Sequence, residues 1–178
     1  FIMMNIGDEK LETPALEDFT TEDKWILSAV NSLAKEVTEN MDKFELGIAV
    51  QKVYDFIWDE FCDWYIEITK TRTYKKEEDP KSAKTAMWTL KTVLIQALKL
   101  LHPYMPFITE EIFCTLQEEE ETIMLSEWPT YKEEWNFKAE EEAVAHVKDL
   151  VKGIRNTRAE MDVPPSRKAK VFIVTEDK

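Results

Sequence analysis

Residues 45–70, ELGIAVQKVYDFIWDEFCDWYIEITK, set the strongest limit on what this chain can fold into. On a wheel at about 100° per residue, Leu46, Ala49, Val50, Val53, Tyr54, Ile57, Trp58, Phe61, Trp64, Tyr65 and Ile68 cover well over a third of the circumference. One neighbour cannot cover so wide a face. The segment is therefore expected to be the central helix of a bundle, with Lys52, Asp55, Asp59, Cys62 and Asp63 as its narrower polar strip. Three Gly, seven Pro and 33% charged residues agree with an all-α class, and 178 residues suit one domain with a short appendage.

The other elements follow from capping and period. Thr20, with Glu22 and Asp23 in the positive first turn, starts a helix whose inward stripe is Ile26, Val30, Leu33, Val37, Met41 and Phe44. Asp79 caps and Pro80 opens a helix with Ala83, Met87, Leu90, Leu94, Ala97, Leu98 and Leu101 inward. Pro103 and Pro106 separate it from a short helix that buries Ile108, Ile112, Phe113 and Leu116. TIMLSEWP is expected to be extended. A long helix over about 138–161 turns Val144, Val147, Leu150, Val151 and Ile154 inward and stops at VPP. KAKVFIV, residues 168–174, is expected to be a short C-terminal β-strand of a truncated junction. The division expected is 1–19 as the tail of an upstream region and linker, 20–135 as the helical bundle, and 136–178 as the long helix and strand. FIMMNI, with neither an initiator Met nor a polar lead-in, reads as the cut end of a longer polypeptide.

A formal charge of −13 argues against indiscriminate binding to DNA, RNA or anionic membrane, while leaving room for a local basic patch. No apolar run approaches the roughly 18 residues that span a bilayer, so no membrane partner is expected. Cys62 and Cys114 read as reduced packing thiols of a cytoplasmic protein. His102 and His146 lack partners at metal-ligand spacing, and three glycines supply no phosphate-cradling loop. The chain is expected to hold no catalytic residues, metal or cofactor of its own.

Two tryptophans fall outside the inward stripes. Trp25 lies about 130° from the centre of its stripe, beside Ser28 and Ser32 with Lys24 near, and Trp88 lies about 150° from its own, among Lys81, Lys84, Lys91 and Lys99. Proteins that grip RNA loops stack splayed bases on exposed aromatics and hold the backbone with Lys or Arg. Trp25, Lys24, Trp88, Met87, Lys84 and Lys91 are thus candidate RNA-binding residues, against the alternative that each indole packs on an unplaced element. A second basic cluster places Arg155, Arg167 and Lys168 free to meet phosphate, with Arg158 expected to pair with a bundle acid.

Taken together and in order, EFCDWYIEITK, LHPYMPFITEEIF, MLSEWP and IRNTRAEMDVPPSRKAKV resemble the anticodon-binding domain of class I valyl-tRNA synthetases, over nearly the whole chain. The LHPYMPFITEEI string is shared in outline with isoleucyl and leucyl enzymes. The resemblance implies a helical tRNA-recognition module, with the anticodon stem-loop as partner. It also implies that the catalytic and editing domains lie elsewhere in the same polypeptide, where the parent enzyme would use ATP and Mg to join valine to its tRNA. The module alone would be inactive. An isoleucyl-type module and a helical protein-interaction scaffold are the alternatives.

Overall fold

The computed structural model describes residues 1–6, 11–117, 120–164, 166–172 and 174. The chain runs through α1 (Ile2–Ile6), a 3-10 turn at Leu16–Asp18 and α2 (Thr21–Asp42). The next helix begins as α3 (Leu46–Asp55), widens into a π-helix over Phe56–Ile66 and returns to α winding as α4 (Glu67–Tyr74). After it come α5 (Pro80–Leu101), α6 (Pro106–Leu116), 3-10 turns at Ile123–Leu125 and Glu133–Trp135, and α7 (Lys138–Glu160). Among the described residues no helix is long and apolar enough to cross a membrane. The bundle class holds, but the expected strand does not. Residues 168–172 and 174 have no regular structure, and residue 173 lies outside the described residues. A lone strand has no ladder to join.

Helix starts follow the capping signals. Thr20 donates its N–H to the Asp23 carboxylate at 3.1 Å, and Asp79 accepts from the Ser82 N–H at 3.0 Å. Helix ends solve the problem of having few glycines. At the end of α2, Phe44 takes φ 60, with its N–H on the Met41 carbonyl at 2.9 Å and the Glu45 N–H on the Asn40 carbonyl at 2.8 Å. Phe44 therefore leaves the α2 stripe, where the period had placed it, and stands 87% exposed. Asp162, at φ 51, closes α7 in the same way.

The central helix packs on α2 and α5, and its winding explains its contacts. Buried positions run Ala49, Val53, Phe56 and then, after a step of five, Phe61, Tyr65, Thr69 and Thr73. The wide turns re-aim the buried face. A wheel of constant pitch cannot follow that change, so Trp58, expected inward, is exposed; Leu46 and Tyr54, also expected inward, are exposed on α3, where Ala49 and Val53 hold the buried face. Ile108 is likewise exposed on α6, whereas Phe113 and Leu116 are buried. On α7 only Val144 of the expected stripe is buried, and Val147 and Leu150 face out. That helix lies on α2 through Glu140, Val144 and Lys148, one turn apart, so half-polar side chains take the inward positions.

One buried polar group joins four segments. Asp23, 0% exposed, accepts from Arg72 Nη1 at 2.8 and 2.9 Å and from the Tyr65 hydroxyl at 2.6 Å. Arg72 also donates Nη1 to the Thr20 hydroxyl at 3.1 Å, Nε to the Ser82 hydroxyl at 2.8 Å and Nη2 to the Ser82 carbonyl at 2.9 Å. The starts of α2 and α5 are thereby tied to the π-helix and α4. Replacing Asp23→Ala strands the Arg72 guanidinium and the Tyr65 hydroxyl, and should cost about 3–5 kcal/mol, whereas Tyr65→Phe should cost about 1 kcal/mol. Chemical denaturation of both variants checks the order, and equal costs would contradict it.

Burial, with the Asp23 carboxylate next in effect, pushes the Tyr65 phenol well above its ordinary value. Because the folded value exceeds the unfolded one, this contribution to stability is complete below about pH 10 and is lost as pH rises through the folded value. In an alkaline titration followed by ultraviolet absorbance, Tyr65 should ionise only with loss of the helical signal. Ionisation of all five tyrosines in a still folded chain would contradict this.

Candidate nucleic-acid interface

The first expected stacking platform is covered. Trp25 is 4% exposed, with its ring edge-on to Tyr65 at 6.4 Å and the Lys148 ammonium 4.2 Å from its centroid. The wheel had turned it off the α2 stripe, and the face it points to is where α7 lies. An open cleft reaches the ring's edge between Ser32, Glu60, Glu141 and Lys152. Lys24 is held in the same seam, 3.6 Å from Glu140 and 5.9 Å from the Phe137 centroid. Lys148 is paired with Glu60, and exposed Arg155 sits 5.9 Å from the Trp64 centroid. Trp25 and Lys24 are thus part of the packing between α2 and α7, while Arg155 lies exposed further along α7 over Trp64 of the π-helix.

The second platform stays at the surface. Trp88 is half-buried, between Phe19 at 5.6 Å and Trp135 at 6.3 Å. Lys84 is exposed and Lys91 half-buried on the same outward side of α5. Met87, one residue from Trp88, is 6% exposed and belongs to the core, which removes it from any surface role. Arg167 and Lys168 are exposed in the tail after α7. Arg158, expected to meet a bundle acid, donates Nη2 to the Pro164 and Arg167 carbonyls at 2.7 Å each and so ties this tail to the helix end.

Trp88 begins a row along α5 that continues with Thr92, Gln96 and Lys99, one turn apart. Opposite this row lies the segment 127–137, fixed to the polar side of α2. Asn31 donates to the Lys132 carbonyl and accepts from the Lys132 N–H, both at 2.8 Å, as a strand neighbour would. Trp128 Nε1 donates to the Thr38 hydroxyl at 2.8 Å, and the Phe137 N–H to the Ser28 hydroxyl at 2.9 Å. Lys35 lies 5.3 Å from the Tyr131 centroid, and burial followed by a Glu133 hydrogen bond pushes that phenol up. Between the two sides is a cavity of about 180 Å³ whose lining includes Asn31, Gln96, Lys99, Trp128, Lys132 and Trp135. Indole walls, an amide and two ammonium groups are what a single unstacked base requires: a face to lie on, an edge to bond and a cation for its phosphate.

Trp135, Trp128, Lys132, Gln96 and Asn31 escaped the sequence reading. A signal for them existed in Ser28, Asn31, Lys35 and Thr38, a polar row on α2 at helical spacing, facing a downstream segment that carries two tryptophans. TIMLSEWP is extended at Thr122 and again at Ser126 but not between them, because the Thr122 hydroxyl accepts from the Met124 N–H at 3.2 Å and winds Ile123–Leu125 into a turn. Among the described residues, no group of three or more His, Cys, Asp or Glu converges as metal ligands would.

Asn31→Ala removes both bonds to Lys132 and leaves its two backbone groups unpaired, so it should destabilise by about 1–3 kcal/mol. Limited proteolysis should then cut first within 127–137. Unchanged cleavage would show that the two tryptophans hold the segment without Asn31.

Residues 23–173 match the family described as the anticodon-binding domain of tRNA ligase. The valine–tRNA ligase of Clostridium tetani is 52% identical over 178 residues, 99% of this chain and 20% of that protein. The valine–tRNA ligase of Clostridium acetobutylicum is 51% identical over 177 residues, again 99% and 20%. That of Carboxydothermus hydrogenoformans is 40% identical over 177 residues, with the same shares. The chain therefore spans about a fifth of the length of these relatives.

Proposed function

Because the chain belongs to the anticodon-binding domain family of tRNA ligases, we propose that it is the anticodon-reading module of a valine–tRNA ligase and that the groove along α5 is where it meets the anticodon loop. The observation that carries this reading is the half-buried series Phe19, Trp88 and Trp135 beside Lys84, Lys91 and Lys132 on an otherwise acidic chain. Aromatic faces accept bases of any sequence, while the half-buried Gln96 amide in the groove offers the paired donor and acceptor that distinguish base edges. The lysines add attraction that salt weakens and that does not discriminate between sequences.

On this reading the attachment of valine to its tRNA takes place in the cytoplasm, in the catalytic part of the same polypeptide. ATP and magnesium are bound there, and an editing domain belongs to that part as well. This chain contributes recognition alone. Among the described residues Gly47 and Gly153 lie within helices, Asp23 and Asp79 cap helix starts, and Glu60 pairs with Lys148.

Binding of a valine-tRNA anticodon stem-loop to the 178-residue chain, by fluorescence anisotropy at moderate salt, tests the proposal. Trp88→Ala should weaken it by about 1–3 kcal/mol with melting little changed. Lys84→Ala with Lys91→Ala should flatten the salt dependence. Trp25→Ala should mainly lower stability, because the ring is packing. An unchanged affinity for Trp88→Ala in a folded chain would rule out the α5 groove.

A further inference from the structure

Helices α2 and α5 run side by side in the same direction. Arg72 bridges Thr20 and Ser82 at their starts, and Asn31 and Ala34 face Thr92 and Gln96 across the groove. Their far ends therefore lie together, roughly 20 Å along α5 from Trp88. At that end stand Phe44, Ile48, Met105, Phe107, Met124 and Leu125, each exposed over at least half of its surface, with Phe107 at 90%. Residues 105–108, MPFI within the LHPYMPFITEEIF string, thus face water rather than the core.

Met105, Phe107, Met124 and Leu125 sit on a braced part of this surface. One His102 ring nitrogen meets the Thr109 hydroxyl at 2.7 Å and the other meets the Met124 sulfur at 3.0 Å. Thr109 donates to the Met105 carbonyl at 2.8 Å, and Glu110 accepts from the Ile123 N–H at 3.2 Å. An apolar cluster held in fixed geometry marks an interaction site. Its surroundings disfavour RNA: Glu110 and Glu120 bond into the Ile123–Leu125 turn and its flank, and Glu111 follows Phe107 by one turn. A protein surface with apolar centre and basic rim fits it.

We propose that this end of the bundle is the docking surface for the remainder of the ligase polypeptide. The proposal rests on the reading that the chain is one module of such an enzyme, whose relatives have about four-fifths of their length outside the matched region. RNA then approaches the α5 groove while the enzyme's body holds the opposite end, which separates the two contacts along one rigid helix.

The test is oxidation of Met105 and Met124 by dilute hydrogen peroxide, read by mass spectrometry, in the 178-residue chain and in the full-length ligase. Both sulfurs should oxidise several-fold more slowly in the full-length protein. Phe107→Glu with Leu125→Glu should restore the faster rate there, while melting of the 178-residue chain stays unchanged because both side chains already meet water. Equal rates in the two proteins would overturn the docking surface. So would concentration-dependent protection in the 178-residue chain alone, since a second copy would then be the occupant. Unprotected methionines with intact stem-loop binding would leave the anticodon reading standing, whereas loss of that binding in the unmodified chain would remove the premise.

Discussion

The carboxylate of Asp23 is the constraint on which this bundle depends. It sits in the first turn of α2, where it completes the capping box, and it is fully buried, which is tolerable only because Arg72 and Tyr65 reach it from other segments. Arg72 in turn grips Ser82, so the starts of α2 and α5 cannot slide past each other. The relative position of the two helices that line the groove is therefore held by one charge and its partners together with the apolar contacts around it.

The same pair of helices explains why the aromatic residues divide as they do. Trp25 and Trp88 both point away from their own stripes. α7 lies over the first, with Lys148 against the ring, and the second is left between Phe19 and Trp135 at the surface. Being off-stripe states only that a side chain avoids one neighbour. It does not state whether another neighbour arrives, and here the difference between a packing residue and a contact surface is made by a helix more than a hundred positions downstream.

The helices on which the candidate site rests were legible wherever the physics is local. Thr20 and Asp79 announced two helix starts, the proline pair announced the break before α6, and the stripe from Ile26 to Val37 is buried as its spacing required. Legibility failed at each departure from uniform α winding. The wide turns after Phe56 shifted the phase that would have buried Trp58. The left-handed residue Phe44 took itself out of the α2 stripe. A lone strand at 168–174 had nothing to pair with. The pocket was invisible for a related reason: Asn31 meets Lys132, and Thr38 meets Trp128, across roughly a hundred residues of chain.

The sequence by itself determined an all-helical bundle, its family resemblance, the positions of most helix starts and stops, and an indole with lysines on the outward side of α5, because caps, prolines and apolar period act within a turn or two of chain. Only the tertiary structure decided that Trp25 is core, that the segment after Leu125 folds back to make a groove with α5, and that the far end of the bundle remains apolar and open. Those outcomes depend on which distant surfaces meet, and no local spacing records that.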